Sequence, residues 1–223
     1  MDKVIRGVDL TISQKYRHYL GPIKWYDIVS AMQFNLLTSL GLRGHHYLLD
    51  IGCGSLRGGR LFIPYLLPGH YFGIEPNKWL VDDGIKHELG GPGIVKAKKP
   101  TFSYDENFTL TTFNQKFDYL LAQSIFSHAC ERQIRRCLSQ AREVMKPTSI
   151  FAATYFDSSD PRAKSRQEGP NFKGDEWTYP SCVFYTLEHI KELAEEQGLT
   201  CELIDWKHPC KQTWVRFKLN GAD

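Results

Sequence analysis

Long apolar runs are missing from this 223-residue chain, and no segment approaches the roughly 20 uninterrupted apolar residues of a membrane-crossing helix. Its start, Met1-Asp2-Lys3-Val4-Ile5-Arg6, lacks the apolar centre of a secretory signal, so a soluble cytoplasmic protein with no membrane partner is expected. Paired cysteines are missing too. The six, Cys53, Cys130, Cys137, Cys182, Cys201 and Cys210, contain no C-x-x-C spacing, which favours buried reduced thiols over disulfides or zinc, and no metal site is expected. Neither sign of charge is in large excess. The formal net charge of +3 is too mild to call for nucleic acid without a concentrated patch. Arg132, Arg135, Arg136 and Arg142 alternate at helical spacing with Ile134, Cys137, Leu138, Ala141 and Met145, the pattern of a helix with one wet face and one dry face. There is no internal repeat and no low-complexity tract. What is present, 42% hydrophobic residues over 223 positions, suffices for one substantial core and falls short of two complete domains.

The densest information lies in Leu48-Leu49-Asp50-Ile51-Gly52-Cys53-Gly54, an apolar run ending in an acid and then a Gly-x-Gly turn. Such a run reads as a buried parallel strand that delivers its carboxyl end to a ligand, because glycines let the backbone approach closely. Twenty-one residues beyond Gly54, Glu75 closes a second apolar segment, Tyr71-Phe72-Gly73-Ile74. An acid at the end of the second strand of a βαβ unit is placed to accept both hydroxyls of a ribose. A nucleoside-containing cofactor is therefore expected. A pyrophosphate-binding turn wants a third glycine three residues after the second, where this chain has Arg57, with Gly58 and Gly59 one residue late. S-adenosylmethionine has no phosphate to hold and tolerates that break.

These segments resemble the class I S-adenosylmethionine-dependent methyltransferases, over roughly residues 46 to 219 and in that family's order of motifs. The resemblance implies a Rossmann-like, doubly wound α/β sheet, mostly parallel, ending in an antiparallel C-terminal hairpin strand and preceded by an N-terminal helical cap. It divides the chain into a cap or lid at 1–45 and a methyltransferase domain at 46–223, with an insertion at about 157–181. It implies S-adenosyl-L-methionine as cofactor. Asp50 would meet the methionine amino group and Glu75 the ribose, Gly52 and Gly54 would let the backbone approach, and Arg57 would pair with the methionine carboxylate. Cys53, Pro76, Gln123 and Ser124 would lie beside the cofactor. A nicotinamide-dependent oxidoreductase and a non-catalytic S-adenosylmethionine-binding protein share much of this pattern. Arg57 and the terminal hairpin count against the first.

Along the chain, helical spacing predicts helices over 11–20 and 25–40, then a crossover helix from Leu56 to Leu67. Further helices are expected from Pro76 through Leu89, from Ala129 to Lys146 with Pro147 as its stop, and from Thr186 through Gln197. Strands are expected at 101–104, 117–123 and 149–156, and alternation over 201–206 and 212–219 reads as a hairpin around Pro209. The stretch from Ile94 to Phe113 otherwise carries little signal. Residues 157–181, with five prolines and glycines among charges, read as an irregular insertion, and loops of that length are often functional.

Methyl transfer from a sulfonium needs alignment and exclusion of water, and a base only when the acceptor must lose a proton. His128, in the loop after the fourth strand, is the candidate base, with His18, Asp157 and His208 in reserve, since imidazole is suited to taking a proton near neutrality. Ser127-His128 at a helix start has a plain structural reading as well, serine as cap and histidine bonded to a neighbouring carbonyl. Tyr16, Tyr19 and Trp25 of the cap, with Tyr155, Trp177 and Tyr179, are candidates for the acceptor wall, and Tyr185 is a further wall candidate. The acceptor is expected to be a small molecule, methylated on oxygen, such as a sugar or secondary metabolite, with no nucleic acid.

Overall fold

The computed structural model describes residues 14–164, 179 and 181–221. Its frame is one eight-stranded sheet: β1 (Leu48–Ile51), β2 (Tyr71–Ile74), β3 (Thr101–Ser103), β4 (Phe117–Ala122), β5 (Met145–Asp157), β6 (Phe184–Tyr185), β7 (Leu199–Ile204) and β8 (Thr213–Leu219). The order is β3-β2-β1-β4-β5-β8-β7, with β6 paired to β5 off that path. Strands β1 to β6 pair in parallel, while β8 runs antiparallel to both β5 and β7. The order reverses between β1 and β4, which start from one centre and grow outward in both directions. That switch point is where an open α/β sheet leaves a crevice beyond its strand ends.

Seven α-helices are described: α1 (Lys15–Tyr19), α2 (Tyr26–Ser39), α3 (Gly59–Tyr65), α4 (Lys78–Asp83), α5 (Pro92–Lys98), α6 (Glu131–Val144) and α7 (Leu187–Glu195). Strand periodicity sends alternate residues to opposite faces. Leu49, Ile51, Leu120 and Phe151 pack with Ile134, Cys137, Leu138 and Ala141 of α6 and with Ile190 and Leu193 of α7. Leu48, Leu121, Ala152 and Trp214 face the other way, against Val29, Met32, Leu36 and Leu37 of α2 and Phe62 of α3. The second helix of the N-terminal segment is thus part of the core, and residues 19–25 are what reaches over the strand ends. Among the described residues no helix is long and apolar enough to cross a membrane.

Several expected boundaries move. The crossover helix begins at Gly59 instead of Leu56, because Leu56 itself adopts a left-handed φ of 60° and the chain turns before it coils. The helix after Pro76 ends at Asp83 and continues to Glu88 as a turn of π-helix. Pro92, weakly signalled in the sequence, opens α5 at a first helical position where a missing N–H costs nothing. Helix α6 stops at Val144, and Pro147 is carried inside β5, where the pairing with β4 shifts register between Phe117 and Tyr119. A proline is tolerated at such an irregularity because no ladder hydrogen bond is demanded of it. The N-cap of α6 is Cys130, its N–H donating to Gln133 Oε1 at 3.0 Å, and not Ser127. No disulfide joins the six cysteines, and Cys53, Cys130, Cys137 and Cys182 are buried.

Candidate active site

A cavity of about 870 Å³ opens over the carboxyl ends of β1, β2 and β4, within the size range of small-molecule sites. Asp50, Gly52, Cys53, Arg57, Glu75, Pro76, Gln123, Ser124 and His128 all line it, as do Tyr19, Trp25 and Tyr179. The turn after β1 is built for the purpose. Gly52 has φ +70°, and a Cβ there would lie 2.0 Å from Ile125 Cδ1, so no other residue fits without displacing that side chain. Gly54, at φ +53°, donates its N–H to Glu75 Oε2 at 3.2 Å. Cys53 packs, its sulfur at 2.8 Å from where a Cβ on Gly73 would stand.

Glu75 is 7% exposed, and its Oε1 accepts from the N–H and side-chain amide of Asn77 at 2.9 and 2.8 Å. Burial raises its pKa, and those donors pull it back down. The carboxylate is therefore fixed in place before any ligand arrives. Asp50 lies on the α2 and α3 face of β1, where the Tyr71 hydroxyl donates to Oδ2 at 2.7 Å. Burial pushes its pKa up to about 6, with Tyr71 and Arg57 opposing the shift. At neutral pH it is mostly ionised, and a cation at its side would complete the ionisation.

Arg57 departs from the solvent-facing fate common for an arginine near a helix start. Nη1 donates to the Leu20 carbonyl at 3.1 Å and Nη2 to Gln123 Oε1, while its enclosed Nε has no partner. Among the described residues no carboxylate forms an ion pair with it. Burial lowers its pKa. An enclosed guanidinium held only by neutral acceptors is costly, and an anion in the cavity would relieve that cost.

From Arg57 a network of side-chain amides runs across the floor. Gln33 Nε2 donates to Gln123 Oε1 at 3.1 Å, Gln123 Nε2 to Ser124 Oγ at 2.6 Å, and Gln212 Nε2 to the same hydroxyl at 2.7 Å. Thr154 donates to Gln212 Oε1 and accepts the Ser124 N–H at 2.7 Å. His208 Nε2 lies 3.1 Å from Gln123 Nε2, and its Nδ1 accepts the Cys210 N–H at 3.0 Å. Burial, then the nearby Arg57 charge, push the His208 pKa down to about 3, so this imidazole is neutral. His128 Nδ1 donates to the Ser181 carbonyl at 2.6 Å, and its ring stands edge-on to Tyr179 at 5.0 Å. In the neutral ring that bond makes Nε2 the basic nitrogen.

Other expected site residues lie elsewhere. Tyr16 is 5% exposed and donates to Glu88 Oε1 at 2.8 Å, packed with Tyr26 and Leu80 and off the cavity. Tyr155 is wholly buried in the core, its hydroxyl 3.3 Å from Asp157 Oδ2, because its place in β5 turns it to the α6 face. Tyr185, also core, donates to the Ala129 carbonyl at 2.8 Å. Trp177 lies outside the described residues. Sequence reasoning missed Gln33, Asn77, Gln133 and the run from Pro209 to Gln212, all of which line the cavity, and it held His208, also in the lining, only as a reserve base. Gln33 did leave a trace, as a polar residue among Val29, Met32, Leu36 and Leu37 on the dry face of α2.

Residues 49–151 match the model of a family described as a methyltransferase domain. No curated protein matches the chain by sequence. Among solved structures, the magnesium protoporphyrin IX methyltransferase of Synechocystis PCC 6803, crystallised with bound SAH, superposes with a TM-score of 0.67 at 12% identity over 95% of each chain. The PH0226 protein of Pyrococcus horikoshii OT3 gives 0.67 at 13% identity, over 94% of this chain and 98% of that one. The CcbJ methyltransferase of Streptomyces caelestis gives 0.64 at 13%, over 94% and 96%. At such identities the likeness is one of fold. Together with the matched domain and the parallel sheet closed by a reversed strand, it gives the chain a methyltransferase domain with the fold of the class I S-adenosylmethionine-dependent methyltransferases.

Proposed function

We propose that the cavity transfers a methyl group from S-adenosylmethionine to an oxygen of a small acceptor, with His128 as the base. When bound, the cofactor supplies an electrophilic methyl group on a sulfonium. Glu75 would take the two ribose hydroxyls, Asp50 the ammonium and Arg57 the carboxylate of the methionine end. Three charged groups of the cavity thus meet three complementary groups of one molecule. Pro76 and Ser124 complete the walls, and Gln123 orients Arg57 by accepting from it. The observation that carries the reading is Arg57, a cation with neutral partners only, facing the same cavity as Asp50 and the fixed Glu75 carboxylate.

For the acceptor, His128 has the tautomer a base requires, with Nδ1 committed to the Ser181 carbonyl. Tyr19, Trp25 and Tyr179 would enclose the acceptor and keep water from the transfer. The chain is short and its cavity is of small-ligand size, which favours a small molecule over a nucleic acid. The test is formation of S-adenosylhomocysteine from S-adenosylmethionine across a panel of hydroxyl, amine and thiol acceptors. Turnover with hydroxyl compounds that disappears in H128A supports the assignment, and turnover confined to amines or thiols overturns it. Tight cofactor binding without turnover on any acceptor would instead favour a non-catalytic S-adenosylmethionine-binding protein.

A further inference from the structure

The cavity has two ends of opposite charge. Asp50, Glu75, Asp105 and Glu106 lie toward β1, β2 and β3. Arg57, Arg162 and Lys211 lie toward β5 and the loop between β7 and β8. Lys24, beside the Trp25 ring at 5.1 Å, joins the second group: the Cys210 thiol feels Arg57, Arg162 and Lys24 together, each favouring its ionised form against the burial that raises its pKa. These four cations come from the cap, the turn after β1, the segment after β5 and the last loop. Four remote segments converge on one place.

Among the described residues, the other titratable groups there leave the sign unchanged. Asp160 is an acid at that end, and its oxygens accept from Arg162 Nε and Nη2 at 2.8 and 2.6 Å. It offsets one cation. Tyr179 is raised by burial and neutral, and His208 is held neutral. With Arg57 assigned to the methionine carboxylate, Lys24, Arg162 and Lys211 still outnumber Asp160 among the described residues.

The walls between the two ends are flat. The Tyr19 and Tyr179 rings lie 5.1 Å apart at 32°, Trp25 lines the same cavity, and Phe156 is stacked on Phe184 with the Arg162 guanidinium 5.0 Å from the Phe156 ring centre. Planar rings select planar partners through offset contact of their faces.

We propose, on the methyltransferase reading above, that the acceptor is a small flat-bodied acid whose carboxylate or phosphate lies against Lys24, Arg162 and Lys211. Anions are drawn to such a cluster and held by charge-assisted hydrogen bonds, while cationic acceptors are repelled.

The experiment starts from protein saturated with S-adenosylhomocysteine, a titration that reports on the cofactor site alone. It is then titrated at low ionic strength with 4-hydroxybenzoate, 4-hydroxyphenyl phosphate and the uncharged 4-hydroxybenzamide. At least one acid is expected to bind about tenfold more tightly than the amide, with the preference falling as salt is added. The acid that binds better identifies the anion. In the K24E/K211E double variant the preference is expected to vanish while S-adenosylhomocysteine still binds. Equal affinities for acid and amide, or binding of none of the three, overturns the proposal. Failure of the first titration speaks against the cofactor assignment instead.

Discussion

The β1–β2 end of the crevice and its β5–β8 end are made in different ways. At the first, Glu75 is held by the Gly54 N–H and by Asn77, all within residues 54–77. At the second, Gln33, Gln123, Ser124, Thr154, Gln212 and His208 hold one another through side chains drawn from positions 33 to 212. A site fixed by backbone donors keeps its shape when neighbouring side chains change. A site fixed by side-chain amides can be recut one residue at a time. The contrast fits a common cofactor held at the first end, reaching the second at Arg57, Gln123 and Ser124, and a particular acceptor in the rest of the second.

The largest effect that would sharpen this contrast is expected at His128. H128A should lower kcat by about 10²–10⁴ with the S-adenosylhomocysteine Kd unchanged, as for loss of a general base. Equal rates for variant and parent across pH would make that histidine structural. E75A comes next. It removes a charged acceptor of two hydroxyl hydrogen bonds, each worth about 1.5–3 kcal/mol, so a loss on the order of a hundredfold in S-adenosylhomocysteine affinity is expected by calorimetry, with circular dichroism unchanged. An unaltered Kd would remove the ribose assignment.

R57Q should weaken S-adenosylhomocysteine by about tenfold or more, yet leave the ligand-free protein as stable or more so, because the enclosed cation has no countercharge to lose. Melting curves with and without ligand separate the two effects. A drop in ligand-free Tm together with an unchanged Kd would show that Arg57 only braces Leu20 and Gln123.

The smallest effect is a pH dependence. Asp50 in the free protein titrates at about 6, and an ammonium partner lowers that value in the complex. Binding is therefore full above pH 6 and is lost as pH falls through it, by about tenfold per unit, with proton release near pH 6 seen as a buffer-dependent heat. A pH-independent Kd between 5 and 7 would place the ammonium elsewhere. For the fold the sign is opposite: the raised pKa means the folded state holds this proton more tightly, so Asp50 by itself adds stability as pH falls through 6 toward its ordinary range.

The first end was legible because its signal is local and steric. An apolar strand, two glycines with positive φ and an acid after the next strand must sit together in any βαβ unit, and Asp50, Gly52 and Glu75 do. The hairpin ending followed from alternation along 201–206 and 212–219, and the doubly wound sheet was what the family resemblance implied. The second end was mostly illegible. Nothing in Lys211 or Gln212 announces a cavity residue, since long-range contact decides it, although the topology held a clue. Because β7 runs parallel to β5, its loop to β8 must return over the ligand edge of the sheet. Tyr16 and Tyr155 show the converse failure. Aromatic residues near a crevice were read as its wall, and burial claimed both.

Tyr179 donates to the Tyr19 carbonyl and Arg57 to that of Leu20. Both of these ties end on main-chain oxygens, which every amino acid carries. Drift at positions 19 and 20 can therefore reshape the chamber for a new guest while the clasp that shuts it goes on working.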